Sequence, residues 1–155
     1  MADKSVFEKI ADNEIPSFKV WEDGTHLAFL TLWPTTPGQT VVVPKKNIGA
    51  YVFALGDDEL TALMHAAKKV AQLLEKAFGV PKVAVVFEGE GVPHVHAKLY
   101  PMHGLNPGEP VGVSHVKFFP QYPGFIETGE GPRMGDDELA QLQAKIKAGA
   151  GQDVA

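Results

Sequence analysis

Apolar positions alternate between a period of two and a period near 3.6 along this 155-residue chain, and the switches mark out its elements. Ser5-Val6-Phe7-Glu8 has the spacing of a capping box and predicts a short helix through Ile10, ended by Glu14-Ile15-Pro16. Residues 18–22 and 26–32 read as strands around the hairpin signal Asp23-Gly24. A turn-rich link at 34–38 leads to a third strand at 40–43, stopped by Pro44. Leu60, Leu63, Met64, Ala67, Val70, Ala71, Leu74 and Phe78 then form one apolar stripe at helical spacing. Asp57 or Asp58 can cap this long helix, Gly79 can stop it, and Lys68 and Lys69 fall off the stripe. Strands are predicted at 83–87 and 93–100, separated by a turn at 88–91.

Residues 102–133 are rich in proline and glycine, yet Phe118, Phe119, Tyr122 and Phe125 make them too aromatic for a free linker. A last short helix is expected at 136–147, with Leu139, Leu142 and Ile146 on one side. The order is helix, hairpin, strand, long helix, two strands and an extended tail. It implies an α+β fold, with about five antiparallel strands and helices mainly on one face. Residues 1–101 would form the core. Residues 102–155 would be an extension packed on that core or on a second subunit.

The composition, 45% apolar and 21% charged, is that of a soluble single domain able to bury a sizeable core. A net charge of -5 argues against broad nucleic-acid binding but not against a nucleotide in a local cationic pocket. With no cysteine, disulfides, thiolate metal sites and cysteine nucleophiles are excluded. No signal peptide or membrane span is visible, so a cytoplasmic protein is expected.

The chemistry concentrates in Pro93-His94-Val95-His96-Ala97-Lys98-Leu99-Tyr100-Pro101. On a strand His94, His96, Lys98 and Tyr100 share one face, and Val95, Ala97 and Leu99 share the other. Two imidazoles and an ammonium in a row suit an anion, phosphate first. A pair of structural histidines and a surface lysine is the competing reading. A His-x-His pair with a third histidine can hold zinc, but no third ligand stands at a recognisable spacing.

From about Ser5 to Pro101 the chain resembles the histidine triad (HIT) superfamily of nucleotide hydrolases and transferases. Val6-Phe7-Glu8-Lys9-Ile10, Glu14-Ile15-Pro16, Trp21-Glu22-Asp23, Leu27-Ala28-Phe29-Leu30, Pro37-Gly38 and Val41-Val42-Val43-Pro44-Lys45-Lys46 follow in the family's order. They lead to the triad motif, here His94-Val95-His96-Ala97-Lys98. The resemblance implies that His96 attacks an α-phosphorus and forms a covalent nucleotidyl-histidine. His94 would orient the site. Lys98 would hold phosphate and help keep His96 unprotonated. An apolar base pocket of Val6, Phe7, Ile10, Phe29 and Leu32 is implied, although each of these also reads as ordinary core. Thr31, Gln39, Asn47, Gly89 and Glu90 occupy the family's remaining nucleotide-contacting positions. The resemblance also implies a homodimer, a nucleotide or nucleotide conjugate as ligand, and no cofactor or metal.

The chain departs from the family pattern at several of these positions. Lys98 replaces the third histidine, Gln39 and Asn47 replace two others, and Thr31 stands where an acidic residue holds the ribose. Zinc-binding members carry cysteines where this chain has Ser5 and Glu8. A nucleotide-binding protein with a degenerate triad is therefore the alternative to an enzyme, and a metal-binding protein is a third reading.

Overall fold

The computed structural model describes residues 3–104 and 130–151. Its elements are α1 (Val6–Ala11), β1 (Lys19–Glu22), β2 (His26–Leu30), β3 (Thr40–Pro44), a 3₁₀ turn (Val52–Ala54), α2 (Asp57–Phe78), β4 (Val83–Val86), β5 (Ala97–Pro101) and α3 (Asp136–Ala150). The strands form one five-stranded sheet in the order β1-β2-β3-β5-β4, antiparallel at every pairing. This is the α+β architecture that the hydrophobic pattern implies. Among the described residues no helix is long and apolar enough to cross a membrane.

The two faces of the sheet bury different clusters, because alternate residues of each strand point opposite ways. Ala28, Leu30, Val42, Val95, Ala97 and Leu99 meet the α2 stripe of Leu63, Val70 and Leu74. Leu139 and Ile146 of α3 join the same cluster, and Gln143 Nε2 donates to Lys19 O at 2.7 Å, tying α3 to β1. Each such leucine or isoleucine contributes about 1.5–3 kcal/mol by leaving water. The opposite face carries a smaller cluster: Leu27 and Phe29 of β2, Val41 and Val43 of β3, and Phe7 and Ile10 of α1 laid over them.

Several sequence expectations are corrected. The long helix is capped by Gly56, with Asp57 and Asp58 inside its first turn, where their charge suits the helix dipole. Met64 lies at the edge of the stripe and is exposed, while Ala66 is buried in its place. Pro44 closes β3 from within rather than stopping it at Val43. The 3₁₀ turn carried no periodic signal. The last strand begins at Ala97, so His94 and His96 lie on the approach to it and not within it. The β3–β5 ladder ends at Val42↔Ala97, and the next hydrogen-bonding position on β3 would be Pro44, which has no N–H to give. Val95 N instead donates to Gly49 O at 2.6 Å. The aromatic tail of Phe118, Phe119, Tyr122 and Phe125, and His115 within it, lie outside the described residues.

Candidate active site

α1 begins with the expected capping box. Glu8 N donates to Ser5 Oγ at 3.1 Å, and Ser5 N donates to Glu8 Oε2 at 2.9 Å. The helix sets Phe7 against both histidines of the motif. The Phe7 ring lies 5.5 Å from that of His94 and 5.3 Å from that of His96, edge-on at 71° to each, and 5.6 Å from Phe29. Although His94 and His96 precede the strand, the alternation persists: they lie against Phe7, while Val95, Ala97 and Leu99 enter the α2 cluster.

His94 is fully buried and both of its ring nitrogens are used. Nε2–H donates to Pro44 O at 2.8 Å, since a carbonyl can only accept. In the neutral ring Nδ1 then accepts from the Ser5 hydroxyl at 2.7 Å. The Pro44 carbonyl therefore receives an imidazole where the ladder lost a backbone donor. Burial pulls the His94 pKa below the ordinary histidine value, against the opposing pull of the Pro44 carbonyl and of Glu8.

His96 is 4% exposed. Its Nδ1–H donates to the His94 carbonyl at 2.8 Å, which fixes the tautomer and leaves Nε2 as a bare lone pair. Burial holds its pKa below the usual value, partly offset by that hydrogen bond. Burial is thus the main cause that favours the neutral imidazole.

Lys98 pairs with Val41 across β3 and with Val86 across β4, on the His96 side of the sheet. Its ammonium forms an ion pair with Glu88, and both side chains are largely buried. Burial lowers the Lys98 pKa, while the nearby Glu130 carboxylate acts to raise it. Two residues further along the row, the buried Tyr100 hydroxyl has no hydrogen-bond partner among the described residues.

The remaining predicted positions separate into groups. Phe7, Ile10 and Phe29 form the apolar bed beside the histidines, and Val6 is exposed on α1. Leu32 packs with the α2 cluster on the other face, which removes it from a shared pocket with Phe29. Gln39 is buried, and its Oε1 accepts from Thr35 N at 2.8 Å and from Thr35 Oγ1 at 3.1 Å. Thr31 Oγ1 accepts from Trp33 N at 3.3 Å. Asn47 spends its side chain on backbone, Nδ2 donating to Pro93 O at 2.9 Å and Oδ1 accepting from Gly49 N at 3.0 Å. Gly89 has φ +72, and a Cβ there would come within 3.1 Å of Ala50 O, so the turn before the motif needs glycine. Glu90 is exposed. Of the other histidines, His65 is exposed, and His103 Nε2 donates to Pro37 O at 2.8 Å beside Phe78. Sequence reasoning missed Ser5 as a partner of His94 and Glu88 as a partner of Lys98. The capping box marked Ser5 only as a helix start.

Among the described residues no group of three or more histidines or carboxylates could hold a metal. Ser5, Glu8, Asn47 and His94 do converge, but as a hydroxyl, a carboxylate, an amide and an imidazole whose atoms already bond one another and the backbone. That set does not fit zinc.

Known proteins match this chain over most of its length. The family profile described as HIT domain matches residues 12–104. An uncharacterized HIT-like protein of Methanocaldococcus jannaschii is 36% identical over 117 residues, 72% of this chain and 88% of that protein. The adenosine 5'-monophosphoramidase of Schizosaccharomyces pombe is 31% identical over 148 residues, 92% of this chain and 98% of that enzyme. Among solved structures, a HIT-like protein from Bartonella henselae described as involved in cell-cycle regulation superposes with a TM-score of 0.69 at 25% identity. The match covers 96% of this chain and 97% of that one.

Proposed function

The chain belongs to the HIT family, and from that premise we propose that it is a nucleotide hydrolase in which His96 Nε2 attacks the α-phosphorus of its substrate. The observation that carries this reading is the His96 Nδ1–H bond to the His94 carbonyl, which presents an unprotonated Nε2 from a buried, neutral ring. The substrate class we favour is a nucleoside 5'-phosphoramidate, the class named for the fission-yeast relative. A dinucleoside polyphosphate offers the same α-phosphorus.

In the first step the Nε2–P bond forms as the bond from phosphorus to the leaving nitrogen or oxygen breaks. The leaving group takes its proton from solvent. The phosphorylated ring carries positive charge, and the His94 carbonyl, 2.8 Å from Nδ1, is placed to stabilise it. Water then attacks phosphorus, the P–Nε2 bond breaks, and the nucleoside monophosphate leaves. Phe7, Ile10 and Phe29 are the apolar bed for the base. His94 positions His96, and Lys98 is the nearby cation for the phosphate. Intact-mass spectrometry after mixing with substrate should detect a nucleotidyl adduct that His96→Ala abolishes. Turnover of a panel of phosphoramidates and dinucleoside polyphosphates no faster than that of His96→Ala would end this reading.

A second reading, nucleotide binding without turnover, is favoured by one observation: the Lys98 ammonium is already matched by Glu88. Calorimetry that finds adenosine monophosphate binding in a protein without turnover would select it.

We also propose a homodimer. β4 is an edge strand of the sheet, Val85 on it is 43% exposed, and Tyr51 and Phe53 are exposed on the segment before α2. Light scattering that gives a monomer at micromolar concentration would exclude the dimer.

A further inference from the structure

β2 presents Leu27 and Phe29 to the His96 side of the sheet, and His26 and Ala28 to the other. On that other side a cavity of ≈ 450 Å³ opens between the β1–β2 hairpin, the segment after β3 and the first turns of α2. Pro44, Ile48 and Ala62 give it apolar walls, and His26 is its buried polar member. The size and the apolar lining with one convergent polar group are those of a small-molecule pocket.

The His26 ring is held in one tautomer. Thr25 Oγ1 donates to Asp23 Oδ1 at 3.2 Å, so it accepts from His26 Nδ1–H at 2.8 Å. Asp23 Oδ1 also accepts from Thr25 N at 2.8 Å and from His26 N at 2.7 Å, which locks the turn that carries this relay. Nε2 is left without its proton and without a partner among the described residues. The buried, unpartnered side-chain polar atoms among those residues are Ser17 Oγ and Tyr100 OH. Nε2 is not one of them, so solvent reaches it. Burial keeps the ring neutral and so able to accept a hydrogen bond.

The charges on the rim cancel. Lys45, Lys46, Asp58 and Glu59 line it, two of each sign. Such a rim gives no advantage to an ion.

We propose that this cavity is a second binding site, which takes a small uncharged aromatic molecule donating one N–H or O–H to His26 Nε2. It shares no residue with the His96 site and does not depend on the activity proposed for it. The probes are indole, which has an N–H, and benzothiophene, which has nearly the same shape and none. Each is titrated into the full-length protein and followed by ¹⁵N NMR. Indole should saturate, move the amides of Ile48 and Ala62, and shift the His26 Nε2 resonance. Benzothiophene should bind about three- to tenfold more weakly, the worth of one hydrogen bond. His26→Phe should bring the two affinities together, and His26→Leu, which also lacks an acceptor, serves if the first variant fails to fold. The site is overturned if neither probe saturates, if benzothiophene binds as well as indole, or if the difference survives replacement of His26.

Discussion

Ser5 Oγ stands 2.7 Å from His94 Nδ1, although 89 positions separate the two residues in the chain. The hydroxyl accepts the Glu8 N–H that starts α1 and donates to the ring that precedes β5. Glu8 extends the same clasp, since its Oε1 accepts from Asn47 N at 3.2 Å, and Asn47 in turn holds the Pro93 carbonyl. Three distant segments thus close around His94, whose carbonyl fixes the tautomer of His96.

Ser5→Ala removes a helix cap and leaves a buried ring nitrogen unpaired. The cap is worth about 0.5–2 kcal/mol and the unpaired acceptor about 1–3 kcal/mol. The expected loss is about 2–4 kcal/mol in urea denaturation, larger than for a cap alone. Ser5→Thr keeps the hydroxyl and should recover most of it.

Stability should fall as the solution is acidified from neutrality. His26, His94 and His96 are all held below the ordinary histidine value of about 6.5, chiefly by burial. Below that value the unfolded chain binds protons that the folded chain refuses, so stability is complete above about pH 6.5 and declines below it. A second loss follows near and below 4.5, where Glu8 titrates in the unfolded chain. Its folded pKa is lowered by the N–H groups of Ser5 and Asn47. Thermal melts from pH 8 to pH 4 check this, and a midpoint that rises between pH 7 and 5.5 contradicts it.

Gly38→Ala should destabilise by about 2–4 kcal/mol. Gly38 has φ +84, which costs an L-residue about 1–3 kcal/mol, and the added Cβ runs into the Phe78 ring at the end of α2. Gly24→Ala is the control, with open space around its Cβ and no positive φ. It should change the melting temperature little.

Legibility follows the range of the interaction. The Ser5–Glu8 capping box, the Asp23-Gly24 hairpin and the α2 stripe are local patterns, and each forms where the sequence places it, Met64 at the stripe's edge apart. The alternation at residues 94–99 was equally readable, because it needs only the pleat. What escaped depends on partners far along the chain. Nothing near Ser5 announces His94, nothing in the triad motif announces the Lys98–Glu88 pair, and the cavity at His26 needs β3 and α2 to form its walls. Pro44 misled for a related reason. A proline reads as a stop, but here it ends only the β5 side of its pairing while still matching His26 on β2.

The Lys98–Glu88 pair separates a phosphate ligand from a structural lysine. Glu88→Gln keeps the shape and removes the charge that matches the ammonium. Both partners are largely buried, so the substitution should cost about 1–3 kcal/mol of stability. If Lys98 serves the phosphate, the same change leaves its charge available to substrate. KM for an adenosine phosphoramidate should then fall about three- to tenfold, with kcat within about twofold. Lys98→Gln should move KM the other way by a similar factor. A purely structural lysine gives a different result, with both variants less stable and KM unchanged in each, and that pattern would remove Lys98 from the phosphate site while leaving His96 its role.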